Sequence, residues 1–315
     1  MLIAIYILLA LIATVVVFNV IVAWKLSSMI LHPRIYAYDT VVNEEVMRGH
    51  FTREWYDQTV HLEEFSLRSP FGYDLHCALW PRDESASFAD GRRRVVVLVH
   101  GFTYCLLGQI KYATMFHELG FDCVLYDHRN HGLSGHAPTT MGTFESKDLA
   151  FVCAWARAHY GEDATLGTLG ESMGAATVMM HAGMDPRLSF VVEDCGYSSL
   201  TKELQNVLKN QFHLPTFPVL PIASLLFRLR SGVSFREVCP ADSLKRNTAT
   251  PMLFIHGDAD KLVPHEMMQV CFDAKPGAKE KWLVPDAPHA GCYVTDPAGY
   301  RAHLGRFLQE NGLIP

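Results

Sequence analysis

The eight cysteines of this chain include no Cys-x-x-C pair, its lysines and arginines form no concentrated run, and its sixteen histidines match no standard zinc spacing. Each absence removes a class of function. Without paired cysteine motifs, and with several cysteines inside apolar runs, Cys77, Cys105, Cys123, Cys153, Cys195, Cys239, Cys271 and Cys292 read as buried thiols rather than disulfides, which favours a reducing compartment. A net charge of −6 without a basic patch argues against nucleic acid as a partner. His128, His131 and His136 cluster in one loop but fit no ligand pattern, so neither a metal nor a cofactor is expected.

Charge is also missing from Leu2 to Trp24, a run of 23 residues. At about 1.5 Å per residue such a helix crosses a hydrocarbon core of about 30 Å. A cleaved secretory signal would carry a basic start, a shorter apolar stretch and a small-residue cleavage site; none is clear before Trp24-Lys25. Nor does a helix apolar on every side suit a soluble core. Residues 1–27 are therefore expected to form a single membrane anchor, with Trp24 at the interface. Lys25, His32 and Arg34 just beyond it favour a cytoplasmic catalytic domain. Residues 28–60, mixed and charged, read as a juxtamembrane connector.

Residues 61–315 are enough for one domain with a substantial core. Two strand-like runs flank the turn Ser69-Pro70-Phe71-Gly72, and a polar loop follows around Asp83 to Gly91. Then short apolar runs at 94–99, 123–126, 164–169, 190–194, 251–256 and 281–285 alternate with helical segments at 106–119, 144–159, 173–182 and 266–274; a last helix spans 297–310. This alternation predicts an α/β fold with a mostly parallel sheet covered on both faces and loops of interest at the carboxyl edge. The stretch 197–247 interrupts the pattern with short helices around a proline-punctuated segment. It is expected to form a cap that excludes water and lines an acyl or aromatic pocket, or else buries its apolar residues against the sheet or a membrane surface.

Gly170-Glu171-Ser172-Met173-Gly174 stands where a strand-like run meets a helix-like one. A Gly-x-Ser-x-Gly string alone is weak, but this setting lifts a serine hydroxyl clear of the sheet at a turn too tight for anything but glycine on either side. Ser172 is the candidate nucleophile, and the backbone N–H of Met173, at the first turn of the helix, should face a substrate oxyanion. A neutral serine needs a base. His289, in Ala287-Pro288-His289 after the last strand-like run, can take and return its proton, and Asp260 can orient the imidazole. Asp260 is preferred to Asp258, which follows the turn glycine Gly257 and reads as a turn or capping residue. Glu145 and Asp148 read as helix-cap and surface charges.

With these residues in place, the chain resembles the α/β-hydrolase superfamily, in its branch of esterases, lipases, thioesterases and serine-aminopeptidase-like enzymes. The resemblance rests on His100-Gly101-Phe102, Asp127-x-Arg129-x-x-Gly132-x-Ser134, Gly170 to Gly174, His256-Gly257-Asp258-Ala259-Asp260 and Ala287-Pro288-His289, in that order. It implies an eight-stranded sheet, the chain order serine, aspartate, histidine, and Phe102 as the second oxyanion N–H beside Met173. His100 is expected to shape that loop rather than to titrate. Asn130 stands where glycine is frequent, and asparagine also accepts left-handed geometry. The implied activity is hydrolysis of a small-molecule carboxylic ester or thioester through an acyl-enzyme, without a cofactor. Amide cleavage of the proline-aminopeptidase type uses the same groups, and a membrane-tethered binding module that has lost its chemistry is a reading of another class.

Overall fold

The computed structural model describes residues 1–82 and 90–315, so the polar loop expected around Asp83 to Gly91 falls mostly outside the described residues. Three helices open the chain: α1 (Leu2–Leu31), α2 (Tyr38–Met47) and α3 (Arg53–Thr59). The hairpin β1 (Glu63–Arg68) and β2 (Asp74–Trp80) follows, closed by Ser69 N–H donating to the Tyr73 carbonyl at 2.8 Å. Strands and helices then alternate: β3 (Arg94–Val99), α4 (Ile110–Glu118), β4 (Asp122–Tyr126), α5 (Glu145–Tyr160), β5 (Thr165–Glu171), α6 (Met173–Ala182) and β6 (Phe190–Asp194). After the cap helices α7 (Leu200–Asn210), α8 (Val219–Ser231) and α9 (Pro240–Leu244) the alternation resumes with β7 (Met252–Gly257), α10 (Glu266–Ala274) and β8 (Lys279–Val284), then α11 (Cys292–Thr295) and α12 (Pro297–Glu310).

The eight strands form one sheet in the order β1-β2-β4-β3-β5-β6-β7-β8, antiparallel at β1, β2 and β4 and parallel thereafter. Strand side chains alternate between faces: Val96 and Leu98 enter one core with α4 and α12, whereas Val95, Val97 and Val99 enter the other with α5 and α6. Register then sets the site. Val99 pairs with both Tyr126 and Gly170, and Glu171 with Asp194, so the loops that leave β3, β4, β5 and β6 emerge side by side.

α1 is long and apolar enough to cross a membrane, and most of it is exposed. It runs four residues past the expected boundary at residue 27. Its last turns are no longer apolar all round: Ala23, Ser27, Ile30 and Leu31, spaced as one helical stripe, are buried, and the three apolar ones join a third core cluster with α6, α7 and α8.

The segment 28–60 is not a loose connector. α2 and α3 fold onto the sheet, with Val41 and Val42 buried among α4 and the strands, because apolar residues recur on one face of an otherwise charged segment. Glu145 and Asp148 likewise differ from the surface charges expected. Glu145 accepts hydrogen bonds from the N–H groups of Thr140 (2.7 Å) and Gly142 (2.8 Å); Asp148 accepts from Tyr73, Ser69 and Arg129, all within 3.0 Å. Both are fully buried because the long loop after β4 must find acceptors for its own donors. All eight cysteines are free. If α2 is integral to the fold, Val41→Ala and Val42→Ala should each lower unfolding free energy by about 2 kcal/mol, read from denaturant midpoints, whereas Asn43→Ala at an exposed position should change it by less than about 0.5 kcal/mol.

Candidate active site

β5 is buried along its whole length and ends one residue before Ser172, whose backbone lies at φ 57°, ψ −114° before α6 begins. A non-glycine residue there is strained by about 1–3 kcal/mol. The turn persists because of what crowds it. A Cβ on Gly170 would sit 2.2 Å from the Gly174 carbonyl oxygen, and one on Gly174 would sit 2.0 Å from that of Val99. The Ser172 N–H donates to the Asp194 carbonyl at 2.8 Å, which pins the turn to β6.

Ser172, Asp260 and His289, distant in sequence, meet here. His289 Nε2 lies 3.0 Å from Ser172 Oγ, and His289 Nδ1 lies 2.7 Å from Asp260 Oδ2. An ionised Asp260 can only accept, which assigns the imidazole proton to Nδ1 and leaves Nε2 to accept from the serine hydroxyl. Asp260 is itself held on every side: Leu262 and Val263 N–H donate to Oδ1 at 2.9 Å each, and His256 Nε2 lies 3.2 Å from Oδ2. Burial alone would raise its pKa, but the hydrogen bonds from His256 and His289 outweigh burial and hold the carboxyl well below the usual range. Asp258 accepts from the Asp286 N–H at 2.7 Å and so clamps the two loops that carry Asp260 and His289.

Phe102 and Met173 line the same cavity as the serine. A Cβ on Gly101 would lie 3.4 Å from that of Ser172, so the loop after β3 passes directly against the nucleophile candidate, and Met173 opens α6. His100 is fully buried; its Nδ1 faces the Gly101 carbonyl at 2.7 Å and its Nε2 accepts from the His128 N–H at 2.9 Å. Burial pushes its pKa down to about 4, so it braces this loop as a neutral ring. His128 and His131 also turn to main-chain partners, the His100 carbonyl at 3.2 Å and the Arg129 carbonyl at 2.8 Å. Asn130 takes φ 61°, as its side chain permits.

Two cavities meet at Ser172. One, of about 550 Å³, is mainly apolar and is enclosed by Phe102, Met141, α7 and the end of α1; the other, of about 300 Å³, is more polar and lies between α2, Tyr104 and His289. Beneath them lie charges that the sequence reading did not assign. Lys111, fully buried, forms an ion pair with Glu171 at 2.8 Å and lies 3.5 Å from Glu45 of α2. His256 and Glu203 were also missed as contributors. The His256-x-x-x-Asp260 spacing hints at the first; nothing local shows that Glu203, at the start of α7, turns inward.

The fold is shared with known proteins. A family model described as alpha/beta hydrolase fold matches residues 94–206. The chain is 30% identical to Bacillus subtilis YqkD over 289 residues, covering 90% of this chain and 91% of that protein. Among solved structures it is similar to a Pyrococcus furiosus esterase (TM-score 0.64, 22% identity, 81% of this chain and 93% of that one). It is also similar to a Xanthomonas campestris a/b serine hydrolase without lid (TM-score 0.56, 16% identity, 81% and 96%).

Glu203 lines the apolar cavity, is 6% exposed, and its Oε2 has no hydrogen-bond partner among the described residues. Burial and then the charge of Asp260 raise its pKa from 4.5 to about 8. An acid raised in the folded state costs nothing below pH 4.5, and its penalty grows from there and is complete above pH 8. Glu203→Gln should therefore gain stability over the parent between pH 5 and 8.5, by up to about 4 kcal/mol at the upper end, with the advantage fading towards pH 4.5. Denaturant midpoints taken across that range would check it; a difference independent of pH would refute it.

Proposed function

This chain belongs to the α/β-hydrolase family, and on that premise we propose that it is a serine hydrolase cleaving a carboxylic ester or thioester through an acyl-enzyme. The observation that carries the reading is the continuous hydrogen-bonded line from the Ser172 hydroxyl through the His289 ring to the Asp260 carboxylate. In the proposed cycle His289 takes the serine proton as Oγ attacks the carbonyl carbon, and returns it to the leaving alcohol or thiol. A water then repeats the sequence on the acyl-enzyme. Asp260 remains ionised and stabilises the imidazolium; the Phe102 and Met173 N–H groups receive the negative charge that grows on the carbonyl oxygen. Two cavities at the serine suit a substrate with two unlike halves, an apolar acyl group and a more polar leaving group. α1 would tether this chemistry to a membrane.

A fluorophosphonate probe should label the full chain covalently and fail to label Ser172→Ala; an unreactive parent protein would instead favour a binding module. Asp260→Asn, which preserves shape but inverts the favoured tautomer, should lower kcat for a p-nitrophenyl ester by about 10³- to 10⁴-fold. Fractionation without detergent should leave the full chain in membranes and release a chain beginning at Val22, which retains the buried stripe of α1; release of both would end the tether reading.

A further inference from the structure

α1 does more than run to the domain and stop. Its last turns are tied to the catalytic body at several points: Arg230 of α8 donates to Ser27 Oγ (3.1 Å) and Ser28 Oγ (2.8 Å), and its guanidinium lies 4.4 Å from the centre of the Trp24 ring. The Leu31 carbonyl accepts from Thr139 N–H at 3.0 Å, and Tyr36 N–H donates to the Thr103 carbonyl at 2.9 Å, next to Phe102. Helix end and catalytic loops form one packed unit.

Within that unit, Leu26, Met29 and Ile30 of α1 face Leu204 and Val207 of α7 across the 550 Å³ apolar cavity that ends at Ser172. Ile30 is buried, but Met29 is 60% exposed, and Phe212, another lining residue, is 51% exposed. Residues that both line a cavity and face outwards mark its mouth. This mouth lies about 7 Å along the helix from Trp24, at the level where an apolar span would leave the bilayer. The cap also exposes Phe217 and, on α8, which packs along α1, Leu225 and Leu229, apolar residues that suit the acyl boundary of a lipid layer.

We propose that the end of α1 is one wall of the substrate site, and that the cavity takes the long acyl chain of a membrane-dissolved lipid ester or thioester, admitted from the bilayer surface between Met29 and Phe212. This rests on the serine-hydrolase reading above and adds the substrate class and its route. At roughly 30 Å³ for each water-sized group, the 550 Å³ cavity holds a chain of up to about eighteen carbons. Glu203, kept neutral by its burial, leaves the wall compatible with hydrocarbon.

The test uses the full chain reconstituted in phosphatidylcholine vesicles and p-nitrophenyl esters from acetate to hexadecanoate. Each buried methylene should raise kcat/KM by about two- to fourfold until the cavity fills, so dodecanoate, with ten more methylenes, should exceed acetate by at least about 1000-fold. Ile30→Trp and Met29→Trp, which thrust an indole into the cavity and its mouth, should lower the dodecanoate-to-acetate ratio at least tenfold. Leu9→Trp, on the exposed span far from the site, should keep the parental ratio and controls for partitioning into the vesicles. Met29 is already more than half exposed, so its replacement separates the effect from misfolding. A ratio unaltered in both wall variants, or a parent that prefers acetate, would overturn the assignment of the wall and leave the serine chemistry standing. A parent that neither turns over any ester nor reacts with fluorophosphonate would overturn both.

Discussion

The structure depends on one crowded crossing, where β5 runs into α6 with no space for a side chain at Gly170 or Gly174. That crossing forces Ser172 into a left-handed backbone and directs its hydroxyl away from the sheet. Such strain persists only when its surroundings over-determine it. Here every residue of β5 and α6 is buried, and the Ser172 N–H is fixed to the neighbouring strand. Relaxing the turn would expose a buried strand and a buried helix together.

Electrostatics at the site follow from the same packing. The parallel strands end with Glu171 and Asp194 side by side, both buried. Each finds a partner: Glu171 pairs with Lys111, Asp194 accepts from the Tyr300 hydroxyl at 3.0 Å, and the Tyr112 hydroxyl lies 2.9 Å from both carboxylates with one hydrogen to give to either. Burial and then the charge of Glu171 raise the pKa of Asp194. Lys111 also reaches Glu45, so α2, before the first strand, closes a network whose other end lies one residue from Ser172. Removing one member would leave a buried charge uncompensated, which costs more than the pair is worth.

Much of this was legible in the sequence because it is local. The period of the apolar runs gave the strands, and α6, α10 and α12 begin and end where their helical patterns do. The elbow, the loop aspartate and the late histidine lie in stretches whose order carries meaning by itself. What escaped was non-local. Asp148 has the appearance of a first-turn helix charge until the β1–β2 turn and the loop after β4 bring Tyr73 and Arg129 to it. α2 resembles a polar linker because only one narrow face, at Val41 and Val42, is apolar. Glu203 follows a serine N-cap and would ordinarily serve a helix start; only the cap's position turns it towards Asp260.

The clasp of Arg230 on Ser27, Ser28 and Trp24 has a mechanical consequence. A domain hung from a flexible stalk sweeps a hemisphere and can visit any nearby surface. Here the stalk is welded to its load: no swivel separates α1 from α8, and the attitude of the Ser172 mouth is set by the tilt of the helix. Under the proposed tether, the layer that holds the first twenty residues would also be the layer the mouth faces, and the molecule would prefer its own leaflet over an opposing one.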